Sequence, residues 1–289
     1  MRSEEEIMNL ILNTAKNDER VRAVYMEGSR VNKNAPKDMF QDYDIVYVVK
    51  ETKSFIDNKN WINIFGKILF MQYPDENVMY ESDKENNYGY LMQFEDGNRI
   101  DLHVSTLNYV LDKLKGGKLY KVLLDKDNCL PKNEKSVSDK HIVKKPKSKE
   151  FLCVCNEFWW CLDNVAKGLF REEITYVMDM INYNVRPCLF KILSWEAGMN
   201  NSFSISVGKS GKYLYKYISE KVYSEYLKTY SSGNINSIWD SVIIMCNLFN
   251  KEALKVSKEL GFVYNNKEAD NSFKYLMHVK SLKEDATEI

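Results

Sequence analysis

Histidine is scarce in this sequence. Only His103, His141 and His278 occur in 289 residues, and the six cysteines form no CxxC pair. A zinc site is therefore not expected, and neither is a disulfide framework. Cys153, Cys155 and Cys161 fall in a helical stretch and read as small buried hydrophobes. No run of about 18 apolar residues occurs, which excludes a membrane-spanning helix. The start, "MRSEEEIMNL", turns acidic at its fourth residue and lacks the apolar stretch of a signal peptide. Reduced thiols without an export signal point to the cytoplasm. Net charge is absent as well, with 41 basic and 41 acidic side chains. By region the balance is −4 over 1–130, +5 over 131–149 and −1 over 150–289. A nucleic-acid partner would require a basic track with interleaved aromatics, and the lysine excess sits in one short segment, so none is expected. The H-x-D-x-x-x-x-N segment of kinase-like phosphotransferases is missing.

What is present is the composition of an ordinary globular protein, 44% hydrophobic and 13% aromatic. The length predicts two domains. "SEEE" starts a helix over 3–17, with Ser3 as N-cap and Glu6 closing a capping box. "VRAVYM" (21–26) and "DYDIVYVV" (42–49) alternate as strands, and "WINIFGKILFMQ" (61–72) holds a short helix and another strand. "EDGN" (95–98) between two apolar alternating runs is a hairpin signal. A helix over 105–116 and a strand over 118–125 complete a mixed α+β first half. Residues 131–149, with Pro131 and Pro146, read as a basic connector. Beyond it the pattern is helical: 149–168, 171–185, 187–199, 209–230 and 235–260. Pro187 suits the first position of a helix. The expected architecture is α+β, a mixed sheet with flanking helices at 1–130 followed by a helical bundle at 150–289.

Asp42 and Asp44 open a strand that is otherwise Ile45, Val46, Tyr47, Val48 and Val49. Residues two apart project together, so two like charges share one face and repel unless a cation sits between them. Asp101, in "RIDLHV", is the acid inside another strand. If those strands are neighbours, three carboxylates converge, a hard-oxygen set for Mg²⁺ with open positions for phosphate. Two ions held in this way clamp the attacking and leaving oxygens of an in-line displacement at phosphorus. Gly28-Ser29, at the end of the preceding strand, supplies a backbone that phosphate can approach closely and a hydroxyl donor. Each element alone is commonplace; their order carries the reading.

"GSR", "QDYDI" and "RIDL" together resemble the nucleotidyltransferase superfamily of DNA polymerase beta. More closely, the chain resembles the bacterial aminoglycoside 6-adenylyltransferases, nearly end to end, through "GNRIDLHV", "KVLLDKD", "NEFWWC", "VAKGLFREEI" and "VRPCLFKILSW". The resemblance implies that ATP donates AMP to a hydroxyl of streptomycin and that pyrophosphate leaves. It implies that Asp42 and Asp44 bind two Mg²⁺ ions, that Asp101 is the third ligand and the general base, and that Gly28, Ser29 and Arg30 hold the triphosphate. A monomer or weak dimer with small-molecule substrates is expected. The rival readings within the same fold are transfer to another acceptor, a nucleic acid or a protein side chain, and a non-catalytic nucleotide-binding relative.

The guanidinium groups of streptomycin call for carboxylates and aromatic faces. In "FLCVCNEFWWCLDNVAKGLF", Glu157, Trp160, Asn164 and Lys167 fall three and four apart and share a helix face. Glu157 and Trp160 are acceptor candidates, and Lys167 is a triphosphate candidate. Trp159 and Trp160 are adjacent, so at least one belongs to the core. Asp179 with Tyr183 forms a second acceptor set. Glu172 and Glu173 read as first-turn acids, His103 as structural, and the tyrosines of 212–230 as helix packing.

Overall fold

The computed structural model describes residues 1–33, 35–117, 119–132 and 141–288. The chain divides into two compact units, Met1–Lys140 and His141–Ile289. The first begins with helix α1 (Glu4–Asn17), where Ser3 and Glu6 form the expected reciprocal cap and Ile7, Ile11 and Ala15 are buried. Strands β1 (Val21–Glu27) and β2 (Tyr43–Val49) follow, then helix α2 (Lys53–Asp57). A 3₁₀ segment, Lys59–Phe65, precedes β3 (Ile68–Gln72). Strands β4 (Asn87–Phe94) and β5 (Arg99–Thr106) form the hairpin, and α3 (Leu107–Lys115) and β6 (Lys121–Asp125) close the unit. The expectation of a strand from 118 is shorter here, and residue 118 lies outside the described residues.

The six strands lie in the order β3-β4-β5-β2-β1-β6. Only β2 and β5 run parallel; the other neighbours are antiparallel. Alternation splits the side chains between two faces. Ile45, Tyr47, Ile100 and Leu102 pack with Ile7 and Ile11 of α1, while Val46 and Val48 pack with Val110 and Leu114 of α3. The Tyr47 hydroxyl donates to the Ile11 carbonyl at 2.6 Å, so its burial leaves no unmet donor.

The second unit is helical: α4 (Ser148–Phe170), α5 (Ile174–Met180), α6 (Arg186–Asn200), α7 (Glu220–Leu227), α8 (Ile235–Leu260) and α9 (Asn266–Ser281). Residues 133–140 of the expected connector lie outside the described residues, and Ser148 and Lys149 already belong to α4. Pro187 stands in the first turn of α6, as expected of a helix start. A π turn, Ile181–Val185, joins α5 to α6 without a break, and a widened turn relieves the missing N–H and ring clash of proline. The expected helix over 209–230 is two 3₁₀ turns followed by α7 alone. Gly208, Ser210 and Gly211 take positive φ, which no helix continues through, and Ser219 caps a fresh start. Helix α9 was not anticipated. Only Ala269, Leu276 and Val279 of it are buried, too sparse a stripe to stand out. Cys155 and Cys161 are buried as expected, but Cys153 is exposed, because it lies on the outer side of α4 between Leu152 and the buried Val154. No described helix is long and apolar enough to cross a membrane.

Candidate active site

The register of β2 on β5 sets Asp44 beside Asp101, and the register of β1 on β2 sets Glu27 beside Asp44. Three acids thus stand in one row across three strands, and Asp42, just before β2, adds a fourth. Oxygens of Asp42, Asp44 and Asp101 lie within 4.8 Å of one another. Burial first, then the charges of Asp42, Asp101 and Glu27, push the Asp44 carboxyl up to about 7. Such a cluster is short of positive charge. Its hard oxygen donors, part-buried and gathered at strand ends, fit Mg²⁺.

Gly28 follows β1 with φ of 79°, a conformation that disfavours L side chains. A Cβ at this position would overlap the Asp44 carboxylate. Glycine is thus required twice here, for the turn and for the close approach of backbone to acid. The 3₁₀ turn Ser29–Val31 comes next, and the Ser29 hydroxyl is buried with no hydrogen bond to any described residue. A buried hydroxyl without a partner is costly unless something else meets it, and a phosphate oxygen is suited to do so. Arg30 is committed within the unit. Its guanidinium donates to the Asp42 and Gln41 carbonyls at 3.0 and 2.9 Å, lies 3.7 Å over the Tyr43 ring and pairs with Glu4. It ties the loop to β2.

The family model described as streptomycin adenylyltransferase matches residues 1–279. The chain belongs to that family. It is 39% identical to an aminoglycoside 6-adenylyltransferase of Bacillus subtilis over 265 residues, 91% of this chain and 93% of the relative. A Staphylococcus aureus aminoglycoside 6-adenylyltransferase is 35% identical over 271 residues, covering 93% and 95%. The crystal structure of an aminoglycoside 6-adenyltransferase from Bacillus subtilis is 35% identical, covers 98% of this chain and 100% of its own, and aligns with a TM-score of 0.49. This member of the family is accordingly an enzyme, a nucleotidyltransferase.

Within this adenylyltransferase the remaining candidates lie in the helical unit. Trp159 is 3% exposed; its indole N–H donates to the Tyr264 hydroxyl at 3.0 Å and its ring meets Phe249 edge-on. Trp160, one residue later, is 68% exposed. Glu157 is exposed and accepts a weak bond from the Cys161 thiol. Lys167 donates to Asp163 at 2.7 Å, one helical turn earlier. Asp179 and Tyr183 are exposed, Asp179 on α5 and Tyr183 in the π turn. The tyrosines of 212–230 do pack on one another, Tyr223 against Tyr226 and Tyr226 against Tyr230. His103 is half-buried on the triad's face of β5. Burial, then the nearby Lys113 charge, lowers its pKa, in keeping with a neutral structural ring.

Two residues at the triad escaped the sequence reading. Glu27 ends β1 in register with Asp44, and Lys113 of α3 approaches it at 3.8 Å. Arg99 donates to both oxygens of Asp101, Nε at 2.8 Å and Nη2 at 2.7 Å, and its Nε lies 4.0 Å from Asp42. Arg99 had a signal, since it stands two positions before Asp101 and so shares its face. Glu27 had none, because cross-strand register is not written in either strand alone.

Proposed function

We propose that this protein transfers the AMP group of ATP to a hydroxyl of an aminoglycoside, the 6-hydroxyl of streptomycin, and releases pyrophosphate. The observation that carries the reading is the convergence of Asp42, Asp44 and Asp101 beside the Gly28-Ser29 turn. Divalent ions held by these three carboxylates would supply charge neutralisation at the phosphates and a more acidic acceptor hydroxyl. The chain's own groups do the rest. The Gly28 backbone and the Ser29 hydroxyl hold the triphosphate, so that the bond from the α-phosphorus to the bridging oxygen lies opposite the acceptor. As the acceptor oxygen bonds to that phosphorus, the bridging bond breaks, its electron pair leaves with pyrophosphate, and the acceptor proton passes to Asp101. Most of the rate arises from alignment and charge, as in other transfers at phosphorus.

The sheet unit is thereby assigned catalysis and the helical unit acceptor binding. Glu157, Trp160 and Asp179 support that division, because all three are exposed and join carboxylates with an aromatic face suited to guanidinium groups. The test is pyrophosphate release by purified protein with ATP, Mg²⁺ and a panel of aminoglycosides. Release that requires streptomycin and is abolished by chelation of the divalent ion is the expected result. Release without any aminoglycoside, or with none of the panel, overturns the reading.

A further inference from the structure

Arg99 holds Asp101 with a two-pronged fork, and every ion pair of the triad among the described residues is made by this one side chain. The arrangement answers the repulsion among three carboxylates with a single positive charge. It also occupies the oxygens that a metal ion and a proton in transit would use. Asp101 is 14% exposed and Arg99 47%, so the acid is fixed in the sheet while the head of its partner stands in water. Arg99 is the first residue of β5, directly after the hairpin turn. Nearly half of its side chain is exposed, so the guanidinium has water to turn into on leaving Asp101.

We propose that Arg99 is the resident counter-cation of the triad, bound to Asp101 until a divalent ion displaces it. The inference rests on the assignment of the triad as a metal site. A guanidinium and a divalent cation within a few ångströms repel, and both draw on the same carboxylate oxygens, so each weakens the other's hold. By linkage, removal of the arginine strengthens the ion's binding by the same factor that the ion weakens the arginine's. Arg99 is therefore a positioning residue. It keeps the acids gathered when no ion is bound and sets how much free ion is needed to load them.

The test is Mn²⁺ titration of the ATP-free protein, with free Mn²⁺ followed by electron paramagnetic resonance. Arg99→Gln binds Mn²⁺ more tightly than wild type, on the order of tenfold. Arg99→Lys, which keeps the charge without the fork, falls between them and serves if the glutamine variant does not fold. In an Asp101→Asn background the fork has lost its anionic partner, and Arg99→Gln then changes Mn²⁺ affinity by less than about twofold. Equal or weaker Mn²⁺ binding in Arg99→Gln with Asp101 intact overturns the inference and leaves the metal site standing. If Asp42→Asn fails to weaken Mn²⁺ binding, the metal assignment itself falls, and the inference with it.

Discussion

The sheet unit collects Asp42, Asp44 and Asp101 at strand ends, where the acids keep partial contact with water and a half-exposed arginine rests on one of them. The helical unit collects Glu196 of α6 and Glu252 of α8, which are 2% and 1% exposed. Lys255 reaches Glu196 at 2.6 Å and Lys251 reaches Glu252 at 2.9 Å. Burial, together with the Glu252 carboxyl, raises Glu196 against the pull of Lys255. Both places crowd like charges and both answer them with cations from the chain. The difference is access. The glutamates themselves are almost wholly buried beneath their lysines, whereas the aspartates keep contact with water. The aspartates are answered by a group that can step aside, beside a glycine turn with an unmet hydroxyl. Crowded carboxylates are thus a functional signal only where a ligand can enter.

The sharpest way to break this contrast is to neutralise one acid in each place. Asp42→Asn, Asp44→Asn or Asp101→Asn should lower turnover by roughly 10²–10³-fold or more, because charge stabilisation at phosphorus is lost. Melting temperature should hold or rise, most clearly for Asp44→Asn, where the repulsion is greatest. Glu196→Gln should leave turnover within about twofold, as expected for a buried pair that belongs to the other unit's core. Pyrophosphate release and scanning calorimetry on the same preparations measure both. A catalytic loss in Glu196→Gln comparable to that of the aspartates would erase the distinction.

How far each cluster was legible beforehand follows from the physics of the elements. A strand's period of two places Asp42 with Asp44, and the order of motifs pointed to Asp101. The same period places Arg99 with Asp101 on β5, whereas the Glu27 neighbour depends on strand order and register, which tertiary pairing decides. Glu196 and Glu252 could not be paired from sequence either, since helix packing alone brings α6 against α8. Trp159 and Trp160 show the same limit on a smaller scale. One residue of helix, about 100°, separates their directions, but only Tyr264 and Phe249 determine which of the two is inside. The tyrosines of 212–230 mimicked a helical stripe. Three positive-φ residues at Gly208, Ser210 and Gly211 outweighed it locally.

A stability test sharpens the contrast from the sealed side. Lys255→Met leaves Glu196 buried without its cation, which costs on the order of 1–3 kcal/mol. Because Glu196 can take up a proton instead, the loss should shrink as pH falls into the carboxylate range. Turnover per folded molecule should stay at the wild-type value. Denaturant melts at two pH values with parallel assays decide it. An unchanged midpoint would show that Lys255 is replaceable and that the seal is looser than its geometry.

The smallest effect separates the two clusters by pH and Mg²⁺. Asp44 is raised to about 7 and Glu196 is raised in the same direction. Unfolded carboxylates titrate near about 4. Between about 4 and 7 the native protein therefore holds Asp44's proton while the unfolded chain has released it. The stabilisation from that retained proton is complete below the unfolded value, declines as pH rises, and is gone above the folded value. Glu196 contributes with the same sign. Acids elsewhere that are lowered on folding oppose this slope, so the readout is the difference in melting temperature between wild type and variant at each pH. Asp44→Asn and Glu196→Gln should each gain on wild type as pH rises from about 5 to 8. Mg²⁺ should remove the gain of Asp44→Asn, because the wild-type triad then has a cation to offset its charge. It should leave the gain of Glu196→Gln intact, since no ion reaches the buried pair. If Mg²⁺ flattened both differences, the glutamates would be open to exchange, and access would no longer be what tells the site from the seal.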